Sequence, residues 1–72
     1  MTINEFLISR IGEQITAFLP MVTGNAMIRG ILSRTATGWD IGEHPMNSLT
    51  FKETMIESYQ GNVLFMHFHR IF

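Results

Sequence analysis

The sequence predicts a small α+β domain, in which an N-terminal helix packs on a bent antiparallel sheet of four to five strands arranged as a meander. Three observations carry this prediction: a helix-capping pattern at the start of the chain, short apolar segments separated by turn signals, and an apolar segment over the last ten residues. Closure of the sheet into a small barrel is the alternative architecture.

Length and composition both favour association with another chain. At 72 residues the chain is a single domain, and a domain of this size buries only about 60% of its unfolded surface. It has no cysteine, which excludes disulfides and thiolate zinc sites. Charged residues make up only 15% of the chain, against about 25% in a typical domain. We therefore expect an apolar interface and a homo-oligomer.

The charge distribution argues against binding of duplex nucleic acid. The net charge is −1, and the five Arg and Lys residues are scattered, whereas affinity for duplexes depends mainly on neutralised phosphates. A symmetric ring could still bring one arginine per subunit together. No apolar segment reaches the roughly 20 residues of a membrane span, and no signal-peptide pattern is present. We expect a cytoplasmic protein with no membrane partner and no cofactor.

A helix is predicted over residues 3–11. Thr2-Ile3-Asn4-Glu5 has the form of a capping box, in which Thr2 caps the helix and Glu5 reaches back to the Thr2 backbone. Gly12 is a plausible residue to end the helix. The apolar residues that follow the cap recur at helical spacing: Ile3, Phe6, Leu7, Ile11 and Ile15.

Residues 14–22 are ambiguous between helix and strand. The helical stripe could continue through Phe18 and Leu19, with Pro20 as a late stop. The alternative is a strand, which Pro20 disfavours because proline cannot donate to a ladder and is confined to edges and bulges.

The rest of the chain is predicted as strands separated by turns, over residues 26–34, 39–41, 48–57 and 63–72. Turn signals lie at residues 23–25, 35–38 and 60–62, and residues 42–47 form a loop. On the first of these strands Ala26, Ile28, Gly30 and Leu32 share one face. Gly30 inside a strand indicates a bend, a bulge or a close backbone approach.

The last strand is apolar on both faces where it begins. One face carries Val63, Phe65, His67, His69 and Ile71, and the other carries Leu64, Met66, Phe68, Arg70 and Phe72. A domain this small has little interior with which to cover both faces. The interface prediction falls on Leu64, Met66, Phe68 and Phe72.

Polar residues of the last strand are candidate binding residues. His67 and His69 lie two apart, so both imidazoles face the same way, as two zinc ligands on a strand would. His44, Asp40, Glu43 or Glu53 could complete such a site. Two-ligand patterns are common, so the favoured interpretation places both histidines at an interface or in a shallow groove. Arg70 is a candidate anion clamp or an arginine whose stem lies along apolar surface.

Trp39 and Asp40 are the other candidate binding residues. They lie in Gly38-Trp39-Asp40-Ile41-Gly42, where Trp39 could stack on a base or anchor a partner. The favoured alternative is a core tryptophan, because large aromatic side chains are mostly buried.

The N-terminal third resembles the bacterial Sm-like RNA chaperones. Asn4-Glu5-Phe6-Leu7 is similar to the start of that family's helix. Pro20-Met21-Val22-Thr23-Gly24 and Ile28-Arg29-Gly30-Ile31-Leu32 are similar to its first two strands and their turn. The resemblance covers about the first 32 residues, and it implies an Sm-like barrel in a ring that binds RNA or a nucleotide.

The two ends resemble a small domain assigned to recognition of cyclic-phosphate RNA ends. Leu7-Ile8-Ser9-Arg10-Ile11 is similar to its opening helix, and Phe68-His69-Arg70-Ile71 to its closing strand. That pattern has a proline where this chain has His67. The resemblance implies that His69 and Arg70 are binding positions.

These observations favour a small non-enzymatic, homo-oligomeric binding module that acts by protein–protein contact, as a regulator or inhibitor. The alternative is an Sm-like ring that binds RNA or a small nucleotide. A metal-dependent enzyme using His67 and His69 ranks third.

Overall fold

The protein has an α+β fold, in which, within the residues that the structure describes, one helix precedes a six-stranded mixed sheet. The computed structural model describes residues 1–42 and 48–67. Within them the elements are, in chain order, α1 (Ile3–Ser9), β1 (Gln14–Met21), β2 (Gly24–Arg34), β3 (Trp39–Ile41), β4 (Leu49–Phe51), a 3-10 helix (Glu53–Met55), β5 (Ile56–Gln60) and β6 (Val63–Met66). The strand order across the sheet is β4-β3-β2-β1-β6-β5.

The α+β class is confirmed, but the predicted number of strands and the predicted meander are wrong. β1 to β4 form a meander, whereas β6 returns to pair in parallel with β1 and carries β5 on its far side. Residues 48–57 were predicted as one strand. The 3-10 helix interrupts them, because the Met55 amide turns back to donate to the Lys52 carbonyl at 2.9 Å.

The sheet is open in the part of the chain that the structure describes. β4 and β5 lie at opposite edges and do not pair with one another, so the predicted alternative of a closed Sm-like barrel is not confirmed.

The ambiguous segment 14–22 is a strand over most of its length. β1 pairs with β2 through residues 14–21 and with β6 only through residues 16–18. Pro20 lies beyond the parallel ladder, where β1 has one neighbour, and its missing amide therefore costs no bond to β6.

The capping box of α1 is confirmed. The Thr2 hydroxyl accepts from the Glu5 amide at 3.1 Å, and the Glu5 carboxylate accepts from the Thr2 amide at 3.0 Å. The helix ends at Ser9, two residues before the predicted end. Its Phe6 ring stacks on the Tyr59 ring at 4.1 Å and so ties α1 to β5.

One face of the sheet and the helix enclose a single core. The buried residues come from every strand and from α1: Phe6, Leu7, Ile15, Ala17, Leu32, Trp39, Ile41, Phe51, Ile56, Leu64 and Met66. Leu64 and Met66, predicted at a subunit interface, point into this core because β6 packs that face inward beside β1. Phe68 and Phe72, the other two predicted interface residues, lie outside the described residues.

A close approach of two backbones shapes the core. β2 pairs with β1 through residues 24–31 and with β3 through residues 32–34. A Cβ atom added at Gly30 would lie 2.4 Å from the Gly42 Cα atom, so the chain passes directly over β2 at the residue that follows β3. Of the three alternatives predicted at Gly30, a bend, a bulge or a close backbone approach, the structure shows the close approach.

We expect Gly30→Ala to destabilise the fold, because its Cβ would meet backbone that cannot rotate away. Overpacking of this kind typically costs about 1–3 kcal/mol, measured as the free energy of unfolding in urea. Ser33→Ala, an exposed site on the same strand, is the control and should change it by less than about 0.5 kcal/mol. Equal effects of the two substitutions would contradict the close approach.

Substitutions in α1 should lower the free energy of unfolding by different amounts, according to whether they remove a buried side chain or a cap. Phe6→Ala should cost about 3–5 kcal/mol, because Phe6 is buried against the sheet. Thr2→Ala removes only the cap and should cost about 1 kcal/mol. Asn4→Ala, exposed on the same helix, serves as the control. Small and equal effects at Phe6 and Thr2 would mean that α1 is not docked on the sheet.

Candidate interaction surface

The outer face of the sheet, which points away from the core, carries an apolar row across three strands. Phe18 on β1 pairs with Met27 on β2 and with Phe65 on β6. The rings of Phe18 and Phe65 stack with centroids 5.8 Å apart. The exposed fractions are 37% for Phe18, 53% for Met27 and 38% for Phe65. We call these three residues the apolar row.

A shallow groove adjoins one side of the apolar row. Its volume is about 330 Å³, and it is lined by Phe18, Pro20, Asn25, Glu57, Phe65 and Met66. The lining is mainly apolar, and Glu57 is its charged residue. An apolar groove beside exposed aromatic rings is typical of a surface that contacts another protein.

One cation and one anion flank the apolar row. Arg29 on β2 lies level with Thr16, whose hydroxyl accepts from the Arg29 Nε–H at 3.3 Å. Glu57 lies on the other side, on β5, where the register with β6 shifts between Ile56 and Ser58. Within residues 1–42 and 48–67, neither charge forms an ion pair.

Trp39, a predicted binding residue, lies in the core, which is the interpretation that the sequence favoured for it. Its exposed fraction is 0%, and its indole N–H donates to the Glu53 carboxylate at 2.8 Å. The Arg34 guanidinium covers the ring at 4.9 Å from its centroid. Asp40, the next residue on β3, accepts from the Thr50 hydroxyl of β4 at 3.1 Å.

The predicted polar residues of the last strand are only partly described. His67 is exposed, and its backbone amide donates to the Met55 carbonyl at 2.8 Å. His69 and Arg70 lie outside the described residues. Among the residues that the structure describes, no group of three or more His, Asp or Glu side chains could hold a metal ion. Asp40 and Glu53, candidate ligands in the sequence, are hydrogen-bonded to Thr50 and Trp39 respectively, and His44 and His69 lie outside the described residues.

The apolar row was not among the sites predicted from the sequence. The signal was present in residues 14–21, where strand alternation places Phe18 opposite the face of Ile15 and Ala17. It could not be used because the segment was ambiguous between helix and strand. Phe65 was assigned to the face of the last strand that was not chosen as the interface.

No helix in the described part of the chain is long and apolar enough to cross a membrane.

No protein-family model, no curated protein and no solved structure matches this chain. Neither resemblance noted in the sequence therefore gains support from these comparisons.

The Trp39–Glu53 hydrogen bond predicts acid-sensitive stability. The indole N–H of Trp39, foremost, lowers the pKa of Glu53 from its ordinary value of 4.5, and the Glu53 backbone amide and nearby Arg34 and Lys52 act in the same direction. A carboxylate whose pKa is lower in the folded state adds stability above its unfolded pKa. That stability disappears as the pH falls through the folded pKa.

We expect Glu53→Gln to lose less free energy of unfolding than wild type between about pH 6 and pH 3. The measurement is urea denaturation at each pH. Glu5→Gln is the control, because hydrogen bonds with Thr2 also lower the pKa of Glu5. This variant should still lose, on acidification, the part of the free energy of unfolding that is due to Glu53. Identical pH profiles for wild type and Glu53→Gln would contradict the assignment.

Proposed function

We propose that this protein is a small non-enzymatic binding module that works as a homo-oligomer and acts by protein–protein contact, as a regulator or inhibitor. The observation that carries the proposal is the apolar row on the outer face of the sheet. A second copy of the chain is the partner that this face accepts.

The apolar row supplies part of the free energy that an association needs. Fully burying a Phe or Met side chain stabilises by about 1.5–3 kcal/mol, and the side chains of the row are already about half buried. Each would therefore gain about 1 kcal/mol in a contact, or about 6 kcal/mol for the two copies together. This gain is similar to the lower estimates of the cost of association, so the row alone does not hold two copies together. The micromolar dissociation constant that we propose corresponds to about −8 kcal/mol, and it requires a contribution from the groove beside the row at least as large as that of the row itself.

The charges near the apolar row support a protein partner over RNA. Arg29 is the cation that adjoins the row in the described residues, whereas Arg10 lies against Phe6 and Arg34 against Trp39. One cation supplies little of the phosphate neutralisation on which RNA affinity depends. Exposed aromatic and methionine side chains with few charges are the composition enriched at protein interfaces.

The proposal predicts that charge introduced in the row dissociates the oligomer. At about 50 µM we expect wild type to be an oligomer and Met27→Glu to be a monomer, because the substitution would bury a carboxylate in the contact. The measurement is sedimentation velocity, with circular dichroism to show that the variant is folded. Phe65→Glu should act in the same way, although it also removes the stack on Phe18.

Ile8→Glu is the matched control, because Ile8 is also exposed, at 49%, but lies on α1. It should leave the oligomer intact. A wild-type monomer at this concentration would overturn the homo-oligomer, and co-purifying nucleic acid would favour the RNA-binding alternative.

A further inference from the structure

We infer that the contact between copies is a two-fold one, in which Arg29 of each copy faces Glu57 of the other across the buried apolar row. This inference rests on the proposed function and specifies the geometry of the same surface. It assigns to Arg29 and Glu57 the role of fixing which way the two copies face each other.

The position of the two charges on the sheet carries the inference. β2, β1, β6 and β5 are consecutive neighbours, so Arg29 on β2 and Glu57 on β5 lie on opposite sides of the centre of the face. They also lie at different heights along the strands. Arg29 is level with Thr16, whereas Glu57 lines the groove near Pro20 and Phe65. The line that joins the two charges therefore crosses the apolar row diagonally.

This diagonal arrangement is self-complementary. In a two-fold contact, residue i of one copy meets residue j of the other, and j meets i. Consider a two-fold axis that lies in the plane of the contact and is perpendicular to the Arg29–Glu57 diagonal. It places Arg29 of each copy opposite Glu57 of the other, which makes two pairs, and it places the two apolar rows face to face. Because this axis is inclined to the strands, the strands of the two copies cross instead of running parallel.

Both side chains are available to pair with a second copy of the chain. Neither Arg29 nor Glu57 forms an ion pair within the described residues, and both are exposed. The bond from Arg29 to the Thr16 hydroxyl uses one of the five guanidinium N–H donors and leaves the others for a carboxylate. Paired charges at the edge of an apolar contact mainly set orientation and specificity.

Charge reversal with restoration tests the inference. Arg29→Glu and Glu57→Arg each place two like-charged pairs in the dimer, and each should raise its dissociation constant about tenfold or more. The double variant Arg29→Glu/Glu57→Arg re-forms both pairs with reversed polarity and should return the constant to within about threefold of wild type. Lys52→Glu is the control, because it makes the same change in net charge as Arg29→Glu at an exposed site beside β4.

Sedimentation equilibrium at low salt measures the dissociation constants of wild type, the three charge-reversal variants, Lys52→Glu and Met27→Glu. Weakening by each single reversal, restoration by the double variant and no effect of Lys52→Glu support the inference. A wild-type dimer that Met27→Glu dissociates, but that the single reversals leave unchanged, overturns the inference and leaves the proposed function standing. Weakening without restoration in the double variant also overturns it. A wild-type monomer overturns both.

Discussion

The close approach of Gly42 to Gly30 is the constraint on which the rest of the structure depends. β2 is shared between β1 and β3, and the chain that follows β3 can pass over β2 at Gly42 only where no side chain intervenes. A second contact of the same kind holds the start of β3, because a Cβ atom at Gly38 would lie 2.4 Å from the Phe51 carbonyl oxygen. With both ends of β3 fixed, Trp39 and Ile41 cover the core.

This arrangement divides the sheet into a closed face and an open one. The helix, β3 and β4 supply Leu7, Trp39 and Phe51 to the inner face, together with the Phe6–Tyr59 stack. The outer face of β1, β2 and β6 is left with partly exposed apolar side chains. Small domains bury a smaller fraction of their surface than large ones, and within the described residues the outer face keeps these side chains partly exposed. This is the face on which we propose that a second copy of the chain binds.

Local signals predicted most of the elements, and non-local pairing decided the rest. The capping box of Thr2 and Glu5 and the alternation along β2 depend on neighbours in sequence, and both are confirmed. Which face of the last strand is buried depends instead on its parallel pairing with β1, where Leu64 lies beside Ala17. Sequence periodicity contains no such information, and so Leu64 and Met66 were predicted at an interface while Phe65 was not.

Oxidative footprinting tests the central claim, that the outer face of the sheet is buried by a second copy. Methionine oxidation would be followed by mass spectrometry on protein at about 0.1 µM and about 100 µM, which bracket a micromolar dissociation constant. Met27 and Met1 are both exposed in the single chain, at 53% and 83%. Met27 should be protected at the higher concentration while Met1 stays reactive. Equal oxidation of Met27 at both concentrations, or protection of Met1 instead, would contradict this account.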